Sequence, residues 1–153
     1  MDLKLKNILK GKVVIVGIGN RLRQDDALGS LLVDDLKGKV RAVCFDVGTA
    51  PENFLGKIAK ENPNTILIVD VVHLDKGAGE YEILGREDIK RSGFTTHDIS
   101  IHMLIEYLEK ETESGIYMLG IQPESTSFGE DLSSKIEETR GELTKLIKEA
   151  LNA

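Results

Sequence analysis

The chain has 153 residues, of which 41% are hydrophobic and 30% charged, and its formal net charge is −6. That length predicts a single domain over residues 1–153, able to bury about two-thirds of its unfolded surface without disulfides or a structural metal. The acidic balance, with a pI of about 5.1, excludes nucleic-acid binding, which draws on a basic stripe to neutralise phosphates.

The opening MDLKLKNILKGK is basic and partly apolar. It lacks the continuous apolar stretch and small-residue cleavage site of a signal peptide, and reads as a frayed extension or a short helix. Lys12–Ile18 (KVVIVGI) is continuous and β-branched, as in a strand buried on both faces. Leu28, Leu31, Leu32 and Leu36 then give residues 27–36 helical spacing. Residues 40–46 (VRAVCFD) predict a second strand. It contains the single cysteine, Cys44, which reads as a small core residue of a protein kept in the reducing cytoplasm. Thr49-Ala50-Pro51-Glu52 looks like a helix start, with Thr49 capping, Pro51 in the first turn and Glu52 three residues on.

Residues 65–71 (TILIVDV) predict a third buried strand, and after the turn marked by Gly77 and Gly79, residues 80–84 (EYEIL) alternate like a half-exposed one. Ile101, Leu104, Ile105 and Leu108 form one face of a helix over residues 98–110, and residues 116–121 (IYMLGI) a further strand. The chain closes on a long amphipathic helix with Leu132, Ile136, Leu143, Leu146, Ile147 and Leu151 near one stripe, weakened by Gly141. No run approaches the ~20 apolar residues that span a bilayer, so no membrane association is expected. This alternation predicts an α/β fold: a three-layer α/β/α sandwich with a mostly parallel, twisted sheet and helices on both faces. The EYEIL strand is the candidate antiparallel member. In such sheets ligands bind beyond the carboxyl ends of the strands.

The first strand ends in Gly17-Ile18-Gly19-Asn20-Arg21-Leu22-Arg23-Gln24-Asp25-Asp26-Ala27-Leu28-Gly29. Gly-x-Gly invites a dinucleotide reading, but Leu22 stands where the third glycine belongs, and Asp25 and Asp26 would repel a pyrophosphate at the next helix start. One aspartate there serves to cap a helix; a second beside it needs a further reason or is merely solvated. Asp70 ends the run Ile66-Leu67-Ile68-Val69 at the carboxyl edge of a central strand, and is either a satisfied structural acid or a functional one. His97 precedes the Ile101–Leu108 helix, a position where a histidine is most often a surface residue. His73, three residues beyond Asp70, is its main rival as a ligand; His102 reads as a helix-surface residue. Two carboxylates and an imidazole suit a borderline divalent ion and leave coordination positions open for substrate atoms. The chain carries no H-E-x-x-H, CxxC or G-x-S-x-G motif.

Taken in order, these segments resemble the hydrogenase maturation endopeptidases, in particular the branch that processes the hydrogenase of formate hydrogenlyase. The likeness runs from Val13 to about Leu151. It is carried by Val16-Gly17-Ile18-Gly19-Asn20 with Asp25-Asp26-Ala27-Leu28-Gly29, by Gly48-Thr49-Ala50-Pro51-Glu52-Asn53, by Leu67-Ile68-Val69-Asp70, and by Thr95-Thr96-His97 and Leu119-Gly120-Ile121-Gln122-Pro123. Ala78-Gly79 replaces the family's Pro-Gly pair, and His73 is unexpected. The resemblance implies a sheet sandwiched by helices and removal of a C-terminal extension from the nickel-loaded precursor of a hydrogenase large subunit. It maps the metal ligands to Asp26, Asp70 and His97, with Asp26 and Asp70 also the catalytic candidates. The nickel would arrive with the substrate, another divalent ion taking the site in isolation, and the default is a cytoplasmic monomer. The alternatives are a non-catalytic metal-binding chaperone of the same precursor and a nucleotide-binding regulator.

Overall fold

A computed structural model of the chain describes residues 2–90 and 98–152. Five strands form one sheet: β1 (Val13–Ile18), β2 (Val43–Gly48), β3 (Thr65–Val71), β4 (Tyr81–Gly85) and β5 (Gly115–Ile121), in the order β2-β1-β3-β5-β4. β1 pairs in parallel with β2 and β3, and β3 with β5; β4 runs antiparallel to β5 along the far edge. The six helices among the described residues are α1 (Asp2–Ile8), α2 (Leu28–Leu36), α3 (Leu55–Lys60), α4 (Arg86–Lys90), α5 (Asp98–Glu111) and α6 (Ser134–Asn152). The mostly parallel α/β sandwich expected from the alternation of patterns is the one observed.

The period of two along each strand divides the core. Val13, Ile15, Leu67 and Val69 face a cluster with Leu28, Leu32 and Leu36 of α2, Leu5 of α1 and Leu143 and Ile147 of α6. Val14, Val16, Ile66 and Ile68 face the opposite cluster, with Ile58 of α3, Ile89 of α4 and Ile101, Leu104 and Leu108 of α5. β1 and β3 are therefore buried along their whole length, which is why β1 and the Ile66–Val69 stretch of β3 read as unbroken apolar runs. Each such side chain contributes about 1.5–3 kcal/mol by leaving water. Cys44 lies in the first cluster, and burial pushes its thiol pKa up, so it behaves as the core residue expected.

Local differences from the sequence expectation have simple causes. The predicted second strand begins at Val43, where register with Val14 of β1 starts, and not at Val40. Pro51 opens a 3-10 turn, Pro51–Phe54, whose N-cap is Ala50 with no side-chain cap, so Thr49 does not cap a helix. α4 has only five residues, too few to show a helical period.

Candidate active site at the carboxyl edge of the sheet

α2 starts unusually close to the sheet. A Cβ on Gly29 would lie 2.1 Å from the carbonyl oxygen of Ile18 and 2.6 Å from that of Val69. A Cβ on Gly17 would lie 2.3 Å from the Gly29 carbonyl, and one on Gly19 2.7 Å from that of Asp26. The glycines that look like a dinucleotide fingerprint thus serve a different purpose: they let backbone meet backbone where β1, β3 and α2 converge. The connecting segment folds on itself through Asn20 N–H to the Asp26 carbonyl (3.0 Å) and Asp26 N–H to the Arg23 carbonyl (3.0 Å), and ends in the 3-10 turn Gln24–Ala27.

That turn packs against β3 and brings Asp26 to the edge where Asp70 emerges. Gly17 and Val69 are the last register partners of β1 and β3, so Asp70 stands one step beyond that pairing, facing Gly120 of β5. Asp26 is 3% exposed and Asp70 fully buried; one Asp70 carboxylate oxygen accepts the Val71 N–H at 2.8 Å. Burying a carboxylate is costly unless hydrogen bonds or positive charge compensate, so two at one sheet edge make that edge the candidate site. Both are donors suited to a borderline divalent ion, and either is a candidate general base.

Neither Asp25 nor Asp26 is the helix cap or the solvated neighbour that the sequence suggested. The Gln24–Ala27 turn and α2 have no side-chain cap, and both acids are buried. Asp25 has a separate role that spacing could not reveal. Its Oδ2 accepts the N–H groups of Glu124 and Ser125 (2.9 Å each) and the Ser133 hydroxyl (2.9 Å), and its Oδ1 accepts the Ser133 N–H (2.8 Å). One buried carboxylate thereby pins both ends of the 124–133 loop to the turn carrying Asp26.

Asp46, in the carboxyl half of β2, is a second acid missed in sequence. It accepts Ser30 Oγ–H at 2.7 Å, Gly48 N–H at 3.1 Å and the Arg21 guanidinium at 2.8 Å. Burial alone would raise its pKa, but these three bonds outweigh that and hold it below the usual carboxylate range. Arg21 also pairs with Asp34 of α2, and the hydrogen bonds to Asp34 and then Asp46 push its pKa further up.

Of the histidines, His73 is exposed just past β3, and His102 is half-buried with its Nε2 donating to the Ile89 carbonyl at 3.3 Å. His97, the third expected ligand, lies outside the described residues. Among the described residues no three His, Cys, Asp or Glu side chains converge as a metal cluster.

The family model described as hydrogenase maturation protease matches residues 30–152. The chain belongs to that family. Membership makes it a peptidase of hydrogenase maturation. Among relatives, the hydrogenase 3 maturation protease of Escherichia coli is 34% identical over 118 residues, covering 75% of each chain. The crystal structure of the [NiFe] hydrogenase maturation protease HycI from Thermococcus kodakarensis superposes with a TM-score of 0.89 at 34% identity, covering 98% of this chain and 99% of that one. The solution structure of the endopeptidase HycI from Escherichia coli gives 0.79 at 29% identity, covering 91% and 90%. These maturation proteases share the five-stranded α/β arrangement described above.

Proposed function

We propose that this peptidase removes a C-terminal extension from the nickel-loaded precursor of a [NiFe]-hydrogenase large subunit, and that Asp26, Asp70 and His97 recognise the nickel. The observation that carries the reading is the burial of Asp26 and Asp70 together at the carboxyl edge, where α/β folds bind ligands. The nickel belongs to the substrate. The two carboxylates, ionised, and the neutral imidazole would complete its coordination. Only a loaded precursor then docks with its scissile bond held in reach, and such positioning lowers a barrier by several kcal/mol. One of the two aspartates would take a proton from the attacking water. We place this work in the cytoplasm, by a monomer meeting one large partner. The single buried cysteine fits a reducing compartment, and no described helix is long and apolar enough to cross a membrane.

Mass spectrometry of a cognate precursor tests the reading. Nickel-loaded precursor incubated with wild-type protein should lose a C-terminal peptide. Nickel-free precursor should stay intact, and so should loaded precursor given Asp26→Asn, Asp70→Asn or His97→Ala. A loaded cognate precursor that binds yet keeps its full mass sinks the proposal in favour of a chaperone that inspects without cutting. Full activity of the His97→Ala variant removes that residue from the ligand set.

A further inference from the structure

Two large apolar side chains beside the site take no part in the core: Phe128 is 84% exposed and Leu22 52%. Single exposed apolar residues are ordinary and need no account. These two are unusual in how firmly their loops are held together. The Gly129 N–H, next to Phe128, donates to the Leu22 carbonyl at 2.8 Å, and the Gly129 carbonyl accepts the Gln24 N–H at 2.8 Å, giving a short parallel bridge between Arg23 and Gly129. Arg23 Nε donates to the Thr126 carbonyl at 3.0 Å, and Asp25 accepts its four hydrogen bonds from Glu124, Ser125 and Ser133. An exposed phenyl is thus presented on a loop fastened at several points to the turn that bears Asp26.

A polypeptide reaching Asp26 from outside must pass over the residues flanking that turn, so this surface is continuous with the one the substrate has to cover. Apolar side chains on a preorganised frame are how binding energy is concentrated at protein interfaces, because little ordering entropy is lost on contact. The Gln122–Ser133 segment contains Glu124, Glu130 and Asp131, all exposed, and no lysine or arginine. Leu22, by contrast, is flanked by the exposed Arg21, paired with Asp34 and Asp46, and Arg23, bonded to the Thr126 carbonyl. The acidic border therefore belongs to the Phe128 side, and its complement there is an apolar surface bordered by basic side chains.

We infer that Leu22 and Phe128 form the apolar anchor for the hydrogenase precursor, and that Asp25 is the positioning residue that holds the Phe128 loop against the Asp26 turn. This rests on the function proposed above. Binding remote from the reacting atoms that is equal in ground and transition state appears in KM and not in kcat.

Steady-state cleavage of nickel-loaded precursor tests it, with Phe128→Ser, Leu22→Ser, Asp25→Asn and the Asp25→Asn/Phe128→Ser pair. Phe128→Ser and Leu22→Ser should each raise KM about tenfold with kcat kept, and the exposure of both side chains should leave the melting temperature unchanged. Asp25→Asn should raise KM and, acting through the Phe128 loop, add less than its separate effect when combined with Phe128→Ser. Wild-type KM in both serine variants overturns the anchor while leaving the endopeptidase reading intact. Strict additivity of Asp25→Asn and Phe128→Ser overturns the positioning role. Failure of the wild-type protein to cut a confirmed cognate precursor removes the underlying function, and the anchor with it.

Discussion

The two edges of the sheet are built from different materials. At the amino edge, the buried polar groups are hydroxyls that serve the backbone. Thr65 Oγ1 donates to the Lys10 carbonyl at 2.8 Å, and Ser114 Oγ to that of Pro63 at 2.6 Å. Lys12 with Glu61 and Arg86 with Glu109 form ion pairs there, and both stay in reach of solvent. At the carboxyl edge stand all three buried acids among the described residues, Asp25, Asp26 and Asp70. A hydroxyl is satisfied by one carbonyl and asks little of its surroundings. A buried carboxylate requires several donors, a cation or a ligand. One edge is therefore closed by neutral groups, and the other keeps charge at the end where α/β sheets bind ligands.

The largest expected effect follows from the close approach that builds the carboxyl edge. Gly29→Ala would drive a methyl group into the Ile18 and Val69 carbonyl oxygens, which are sheet backbone and cannot rotate aside. The variant should lose about 3 kcal/mol or more, lowering the melting temperature by about 6–12 °C, with precursor cleavage impaired because Asp26 shifts with the turn. A wild-type melting curve in calorimetry would mean that the edge is looser than these distances require.

Acid should separate the edges next. Asp46 is held below the usual carboxylate range in the folded protein, so its contribution to stability is fully present above the unfolded aspartate pKa of about 3.9 and is lost as pH falls through the folded value. Urea titrations should therefore show this contribution, about 1–2 kcal/mol for a half-buried acid with charged and neutral donors, unchanged from pH 7 to 5 and fading below about pH 4. Asp46→Asn should flatten that part of the decline. Glu61→Gln at the amino edge should leave it unaltered, since exposed pairs contribute little. An Asp46→Asn profile parallel to wild type would remove Asp46 from the acid response.

Much of this contrast was legible in the sequence, and what was not has a physical reason. Thr65–Val71 was readable to the residue because burial on both faces makes Ile66–Val69 an unbroken apolar run, and Asp70 stood out as the acid ending it. The pairing of Asp26 with the same edge followed from strand-helix alternation and the family motifs. The role of Asp25 did not. Its partners lie 99 to 108 residues further along the chain, and nothing local distinguishes an acid that binds a distant loop from one that caps a helix. Asp46 was hidden for the same reason, since Arg21 and Ser30 meet it only through β1–β2 pairing. Of the glycines, the motif showed where they were; only packing showed that they serve contact.

The amino edge should respond more mildly. Thr65→Val keeps shape and β propensity and removes only the hydroxyl that reaches the Lys10 carbonyl. It should cost about 1 kcal/mol in denaturant titration with precursor cleavage untouched. A loss of activity at wild-type stability would show that the two edges are coupled through β3, contrary to the division of labour drawn above.

The smallest effect belongs to a glycine at neither edge. Gly141 lies in α6, exposed, with nothing within 4 Å of where a Cβ would stand and no positive φ. Gly29 is held by contact; Gly141 is held by nothing in the fold. An alanine there gains helix propensity and narrows the unfolded ensemble, so Gly141→Ala should stabilise by about 0.4–1 kcal/mol. The sign is the informative part. Thermal melts of Gly29→Ala and Gly141→Ala should move in opposite directions although the chemical change is identical, because in one case the added methyl meets backbone and in the other only water. If both variants destabilise, helix propensity does not govern position 141, and the contrast between contact and open space fails there.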